Sequence, residues 1–220
     1  DGCARVRIFH RDPSKPRAQI IAANTAAAGG ANDGFTFRGG GSGGRRSSRS
    51  QAPTGGAPTR TLTEALQHAR AAAPSRFRVE RSGIAGMGLF SARFIERDSV
   101  LLEYNGEVVR ASVADLREQR AAEAAVGHDP VATYAFSAGG GLVVDATNKG
   151  SLARFVNHSC DPLAVARVVT LDGHRRVLFF AKHDLAPGEE VTIDYGFRPV
   201  LPRDKIACMC GSANCRGFID

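Results

Sequence analysis

The end of this chain is constrained by its cysteines. Cys208-Met-Cys210-Gly-Ser-Ala-Asn-Cys215 sets three thiols within eight residues. A tetrahedral zinc ion takes four such ligands, with sulfur at roughly 2.3 Å. Of the remaining cysteines, Cys160 stands in the body of the chain, whereas Cys3 lies across a Gly-rich stretch. The spacing therefore predicts a zinc site built from Cys160, Cys208, Cys210 and Cys215. An all-cysteine set leaves no open coordination position, so the site is expected to be structural and to pin the tail to the loop carrying Cys160. Disulfides fit a reduced, intracellular chain less well, and unpaired thiols fit three cysteines in so short a span poorly.

The rest of the sequence divides by composition and charge. Residues 1–82 carry 14 Lys/Arg against 5 Asp/Glu, and residues 83–220 carry 15 against 17, so the net +7 belongs to the N-terminal part. A basic tail suits chromatin or nucleic acid, and a mildly acidic body suits a basic peptide. Residues 1–22 form a basic segment. Residues 23–60, with Gly-Gly-Gly-Ser-Gly-Gly-Arg-Arg at 39–46, read as a flexible linker that buries too little apolar surface to offset its ordering entropy. The chain lacks an initiator Met, as expected of a piece of a longer protein. No apolar run approaches the roughly 18 residues of a membrane span, and the start is too charged for a signal peptide.

Within residues 61–76, a short helix is expected from Thr61 to Ala73, capped by Thr63, with Leu62, Leu66 and Ala69 on one face and Pro74 ending it. From Phe77 onward, short apolar runs alternate with Gly, Asp and Pro. Strands are predicted at 77–79, 100–104, 142–144, 166–170, 176–180 and 191–193, with helices at 113–124 and 151–156. The fold class is mostly β with short helices, an irregular domain.

Four separated stretches then carry a resemblance. Gly86-Met-Gly88-Leu-Phe90, Glu103-Tyr-Asn-Gly-Glu-Val-Val-Arg110, Arg154-Phe-Val-Asn-His-Ser-Cys-Asp-Pro162 and Gly188-Glu-Glu-Val-Thr-Ile-Asp-Tyr195 resemble, in order, the motifs of the SET-domain lysine methyltransferases. The cysteine array is similar to that family's post-SET segment. Ser112-Val-Ala-Asp-Leu-Arg-Glu118, Val144-Asp-Ala-Thr147 and the ending Cys-Gly-Ser-Ala-Asn-Cys-Arg-Gly-Phe resemble the trithorax, mixed-lineage-leukaemia and COMPASS-type branch, which acts on histone H3 lysine-4. The resemblance implies a SET domain over 77–197, built of several small sheets with knot-like threading of its C-terminal part, and a zinc-stapled post-SET segment over 198–220. It implies a nuclear enzyme that takes S-adenosylmethionine and works on nucleosomes. Gly2-Cys-Ala-Arg5 resembles the branch's arginine motif, in which Arg5 would enter a WD-repeat adaptor among other COMPASS-type subunits, although Val6-Arg7 replaces the acidic residue usual after it.

Methyl transfer to an amine needs a neutral, aligned nitrogen. Neutralising a free lysine near pH 7.4 costs about 4 kcal/mol, which a dry channel beside a sulfonium lowers. The chain has three tyrosines, and the resemblance assigns all of them to the site: Tyr195 as principal catalytic hydroxyl, Tyr104 lining the channel, Tyr134 over the cofactor. It gives cofactor contacts to Ala85, Gly86, Met87, Asn157, His158 and Met209. Ile193 stands where the family usually has Phe or Tyr, which leaves room for di- or trimethylation. Ala85 replaces a frequent His, and Ser137-Ala-Gly-Gly-Gly141 reads as a looser substrate-side loop. Two other readings fit less well: a SET enzyme of a non-histone protein, and a weakly active module that recruits adaptors to chromatin.

Overall fold

A computed structural model describes residues 60–124, 134–196 and 206–219. The basic segment with Arg5 and Cys3, the linker apart from Arg60, and residues 198–205 of the C-terminal segment lie outside the described residues.

Helix α1 (Leu62–Arg76) opens on a capping box. Thr61 Oγ1 accepts from the Glu64 amide and Glu64 Oε2 accepts from the Thr61 amide, at 3.3 and 2.8 Å. The cap is thus Thr61 rather than Thr63, because only Thr61 has a glutamate three residues on. Pro74 does not end the helix but sits in its last turn, where the missing N–H removes a single bond. Leu66 and Ala69 pack against Val100, Leu178 and Phe180, with Leu62 alongside.

Among the described residues ten strands follow: β1 (Phe77–Arg81), β2 (Met87–Ser91), β3 (Val100–Glu103), β4 (Glu107–Arg110), β5 (Ala135–Gly139), β6 (Leu142–Asp145), β7 (Asn157–His158), β8 (Ala164–Leu171), β9 (His174–Ala181) and β10 (Thr192–Ile193). Helix α2 (Ala111–Ala124) follows β4, and a 3₁₀ turn (Leu152–Phe155) precedes β7. The strands make four small sheets: β1-β2, β3-β9-β8 and β4-β6-β5, all antiparallel, and the parallel pair β10-β7. The architecture is the expected one. Sequence patterning misses β2, β4, β5 and β7, which are short or rich in Gly, Ala and polar residues.

The segment Ser137–Gly141 is not a loose loop. Its first residues belong to β5, and Gly139, Gly140 and Gly141 turn into β6 with φ of 71°, 61° and 75°, a region that costs glycine little. Arg175 lies against this turn and donates to the Ala138 carbonyl across 3.3 Å.

One core joins the sheets. Leu89, Leu101, Phe136, Val177, Phe179, Leu185, Val191 and Ile193 are all but excluded from solvent. The chain reaches its C-terminal motif by passing between β2 and β7. Val191 N–H donates to Leu89 O and Ser91 N–H to Glu189 O on one side, and Ser159 N–H donates to Ile193 O on the other. Residues 188–193 are thereby interposed between two elements formed much earlier in the sequence.

Candidate active site and cysteine cluster

The β2–β10–β7 crossing brings separated motifs to one place. Tyr104, at the end of β3, is 4% exposed and packs its ring against Phe136 and Phe179, with centroids at 5.1 and 6.0 Å. Tyr134 lies under the Arg154 guanidinium, 4.2 Å from its ring centroid. Tyr195 is buried just beyond β10, its hydroxyl donating to Val156 O across 2.9 Å. All three belong to one buried cluster with Ile193. Burial pushes the Tyr104 phenol above its ordinary range, and the nearby Tyr195 and Tyr134 phenols add to this against the Arg154 charge. Burial likewise raises Tyr195, with Tyr134 and Glu190 contributing. These phenols stay protonated at neutral pH and act as donors or fixed dipoles.

A second group of residues surrounds the loop between β1 and β2. Gly86 adopts φ 49°, a left-handed turn suited to glycine. The Asn157 side-chain amide donates to Ala85 O at 3.1 Å, to Met87 O at 3.3 Å and to Glu190 Oε1 at 2.7 Å. Glu190 also accepts from Ser82 Oγ at 2.8 and 2.9 Å, and Ser82 Oγ accepts from the Ile84 amide at 2.9 Å. A Cβ at Gly88 would collide with Glu190 Oε1, so the second glycine of the motif makes room for this carboxylate. Ala85, Gly86 and Met87 are therefore held from below through their backbone.

His158 links the tyrosine to the cysteines. Its Nδ1 accepts from the Tyr195 amide at 3.1 Å, so Nδ1 carries no proton. Its Nε2 lies 3.5 Å from Cys160 Sγ. The ligand atoms of Cys160, Cys208, Cys210 and Cys215 all fall within 4.8 Å of one another, with Cys160 Sγ and Cys208 Sγ 3.6 Å apart. Four thiolates bonded tetrahedrally to zinc stand about 3.8 Å apart, given bonds near 2.3 Å. Backbone amides of Arg216 and Gly217 donate to Cys160 and Cys215 Sγ, at 3.3 and 3.4 Å. Cys210 is lowered to about 5: burial opposes this, but hydrogen bonds from Cys160 and Ser212 outweigh it. Cys208 is pushed up by burial and by crowding with its neighbours. Four sulfurs converging at this spacing could hold a zinc ion. Met209, between two of these cysteines, is 69% exposed.

The structure thus places Tyr104, Tyr134, Tyr195 and Ile193 in one buried cluster, Ala85 to Met87 on Asn157, and the four cysteines together. Arg5 lies outside the described residues. Sequence reasoning passed over Ser82, Glu190, Asp194 and Arg216. The only available signal was position: Glu190 and Asp194 fall inside the last motif, and Arg216 follows the last cysteine.

The SET domain family matches residues 86–196. A histone-lysine N-methyltransferase, H3 lysine-4 specific, of Neurospora crassa is 40% identical over 141 residues, covering 64% of this chain and 10% of that protein. Proteins of the same description from Cryptococcus neoformans var. neoformans and Schizosaccharomyces pombe are each 40% identical, over 147 and 139 residues, covering 66% and 63% of this chain and 10% and 14% of theirs. The chain spans about a tenth of the length of the curated relatives it matches.

Proposed function

The chain belongs to the SET-domain family, and on that premise we propose that it is a protein-lysine methyltransferase that moves methyl groups from S-adenosylmethionine to a histone tail, with histone H3 lysine-4 as target. The observation that carries this reading is the gathering of all three tyrosines in one buried cluster beside the loop that Asn157 holds. The target rests on the relatives, whose descriptions name H3 lysine-4. A nuclear location and work on nucleosomes follow from that substrate. Among the described residues, no helix is long and apolar enough to cross a membrane.

S-adenosylmethionine, when bound, supplies an activated methyl group on a sulfonium. The residues present suit it. The Gly86 turn permits close backbone approach, Asn157 and His158 would hold its amino-acid and adenine portions, and Met209 offers an apolar face for the adenine. Tyr134 would cover it. Ala85 contributes its backbone alone, since its side chain offers no donor or acceptor.

The protein's own part is to position the substrate and keep water out. Tyr104, backed by Phe136 and Phe179, would line the passage for the lysine stem. Desolvation there disfavours the ammonium and brings the nitrogen to its neutral, nucleophilic form. The Tyr195 hydroxyl, fixed by Val156, would orient that nitrogen. Ile193, aliphatic where the family usually has an aromatic ring, would leave room beside the nitrogen for a second and third methyl group.

Zinc on Cys160, Cys208, Cys210 and Cys215 would be structural, fastening residues 206–219 to the loop after β7. Arg5, in the basic N-terminal segment, would dock a WD-repeat adaptor, placing the enzyme in a COMPASS-type assembly. The experiment that tests the reading is transfer of labelled methyl to an H3 tail peptide, with and without adaptor subunits. Labelling of the lysine-4 position that disappears in Tyr195→Phe is expected. No transfer under either condition would leave the recruiting module as the better reading, and a peptide array would reveal a non-histone target.

A further inference from the structure

Two residues that the motif pattern leaves without a task meet beside Tyr195. Asp194 precedes it, and Arg216 follows Cys215. Arg216 Nη1 donates to Asp194 Oδ2 across 2.9 Å, and Nη2 donates to Oδ1 across 3.0 Å. This is the two-point contact of a guanidinium with a carboxylate, which sets orientation as well as distance. The Arg216 backbone amide also donates to Cys160 Sγ. One residue therefore touches both the segment carrying Tyr195 and the cysteine cluster.

Asp194 does more than receive the guanidinium. Its Oδ1 accepts from the Gly196 amide at 3.0 Å, so the same carboxylate shapes the turn just after Tyr195. Beside it, with Nδ1 3.6 Å from Asp194 Oδ1, His158 accepts the Tyr195 amide and faces Cys160. Tyr195 is tied to Cys160 by two routes, one through the His158 ring and one through Asp194 and Arg216. Half-exposed ion pairs contribute little to global stability, and the Arg216 and Asp194 side chains are 38% and 21% exposed. What a bidentate pair keeps in that setting is direction.

We infer that Arg216 is a positioning residue for Tyr195: its two-point contact with Asp194 latches the C-terminal segment onto the end of β10, so the phenol is aligned only when that segment is docked. The inference rests on the methyl-transfer reading of Tyr195. It makes assembly of the cysteine cluster and alignment of the catalytic group a single event.

The test uses the whole chain, loaded with zinc, as wild type, Arg216→Met, Arg216→Lys, Asp194→Asn and the double Asp194→Asn/Arg216→Met. Zinc content, read with a chromogenic chelator after thiol modification, is expected to be unchanged, since no sulfur ligand is altered. Hydrogen exchange at the Tyr195 amide is expected to quicken in Arg216→Met and Asp194→Asn, with Arg216→Lys between them and wild type. At saturating cofactor and peptide, kcat is expected to fall about tenfold, at the low end for residues that orient metal ligands from outside. The double variant is expected to be no worse than the worse single, as for two halves of one contact. A Tyr195 amide as protected in zinc-bound Arg216→Met as in wild type would overturn the latch, as would losses in kcat that multiply in the double. A wild-type chain that transfers no methyl, with the amide still released in Arg216→Met, would instead overturn the enzyme reading and leave the latch standing.

Discussion

The Tyr195 hydroxyl donates to the Val156 carbonyl across 2.9 Å, which ties the last motif to the residue just before Asn157. That bond directs the phenol proton at the carbonyl, so the oxygen's lone pairs would be left to face a substrate nitrogen. Tyr195→Phe is expected to lower kcat about 10²-fold or more, as for removal of a preorganised polar group at a reacting centre. It should cost only about 1 kcal/mol of stability, because the Val156 carbonyl loses one donor. Labelled-methyl transfer and thermal melting on the same preparation separate the two effects.

Ile193 is closed in by the core, so its size decides how much space remains beside the tyrosines. Ile193→Phe is expected to stop the product at fewer methyl groups and to cost about 1–3 kcal/mol through overpacking. Ile193→Val should keep multiple methylation, at about 0.5–1.5 kcal/mol. Mass spectrometry of the methylated peptide reads the product, and a firm stop at one methyl in the wild type would contradict the role given to Ile193.

Glu190 is the acceptor on which both Ser82 and Asn157 depend. Glu190→Gln replaces one oxygen by an NH₂ group facing other donors. The expected cost is about 1–3 kcal/mol of stability. Cofactor binding should weaken more than turnover at saturation, since the loop Ala85–Met87 loses its support rather than its chemistry. Calorimetric titration with S-adenosylhomocysteine measures the first, and saturating kinetics the second.

Helix α2 is fastened by Arg117, whose Nη1 donates to Asp145 Oδ2 at 2.6 Å and to Glu107 Oε2 at 2.7 Å. Burial works to raise the Asp145 carboxyl, but hydrogen bonds from Thr147 and Arg117 outweigh it and hold it below its ordinary value. Its contribution to stability is therefore complete above the unfolded carboxylate value of about 4 and fades as pH falls through the lower folded value. Melting temperature against pH should show this acid loss in wild type and less of it in Asp145→Asn.

Removal of the metal is expected to free residues 206–219, which are held among themselves by few backbone bonds, such as Cys208 N–H to Gly217 O and Ile219 N–H to Ile206 O. Strong chelation should make this segment protease-sensitive and weaken cofactor binding about 10–100-fold, the usual cost of disturbing a metal site's surroundings. Unchanged cofactor affinity after demonstrated zinc loss would sever that coupling.

The motif pattern marked where the proposed chemistry would reside but not how those residues are supported. Four cysteines and three tyrosines were legible because few residue types can do their work and each type is scarce in this chain. Strands β8 and β9 were legible because Val, Leu and Phe crowd them. Strand β7 was not, because two residues carry no period, and β2 was hidden by Gly88, whose presence is explained only by the Glu190 carboxylate pressing on it. Thr63 and Thr61 compete for the cap on composition alone, and the glutamate at 64 decides between them. Asp194 and Arg216 were invisible because an ion pair between residues so far apart in sequence leaves no periodic trace.

Parallel pairing of β10 with β7 has a consequence for how the protein is made. Thr192 and Ile193 find Asn157 and His158 only after the whole β8–β9 hairpin has been translated, and the cysteine segment comes later still. Contacts of such long sequence separation form slowly. A nascent chain would hold Tyr104 and Asn157 without their partner strand, and the buried cluster could close only once residues 192–195 had emerged.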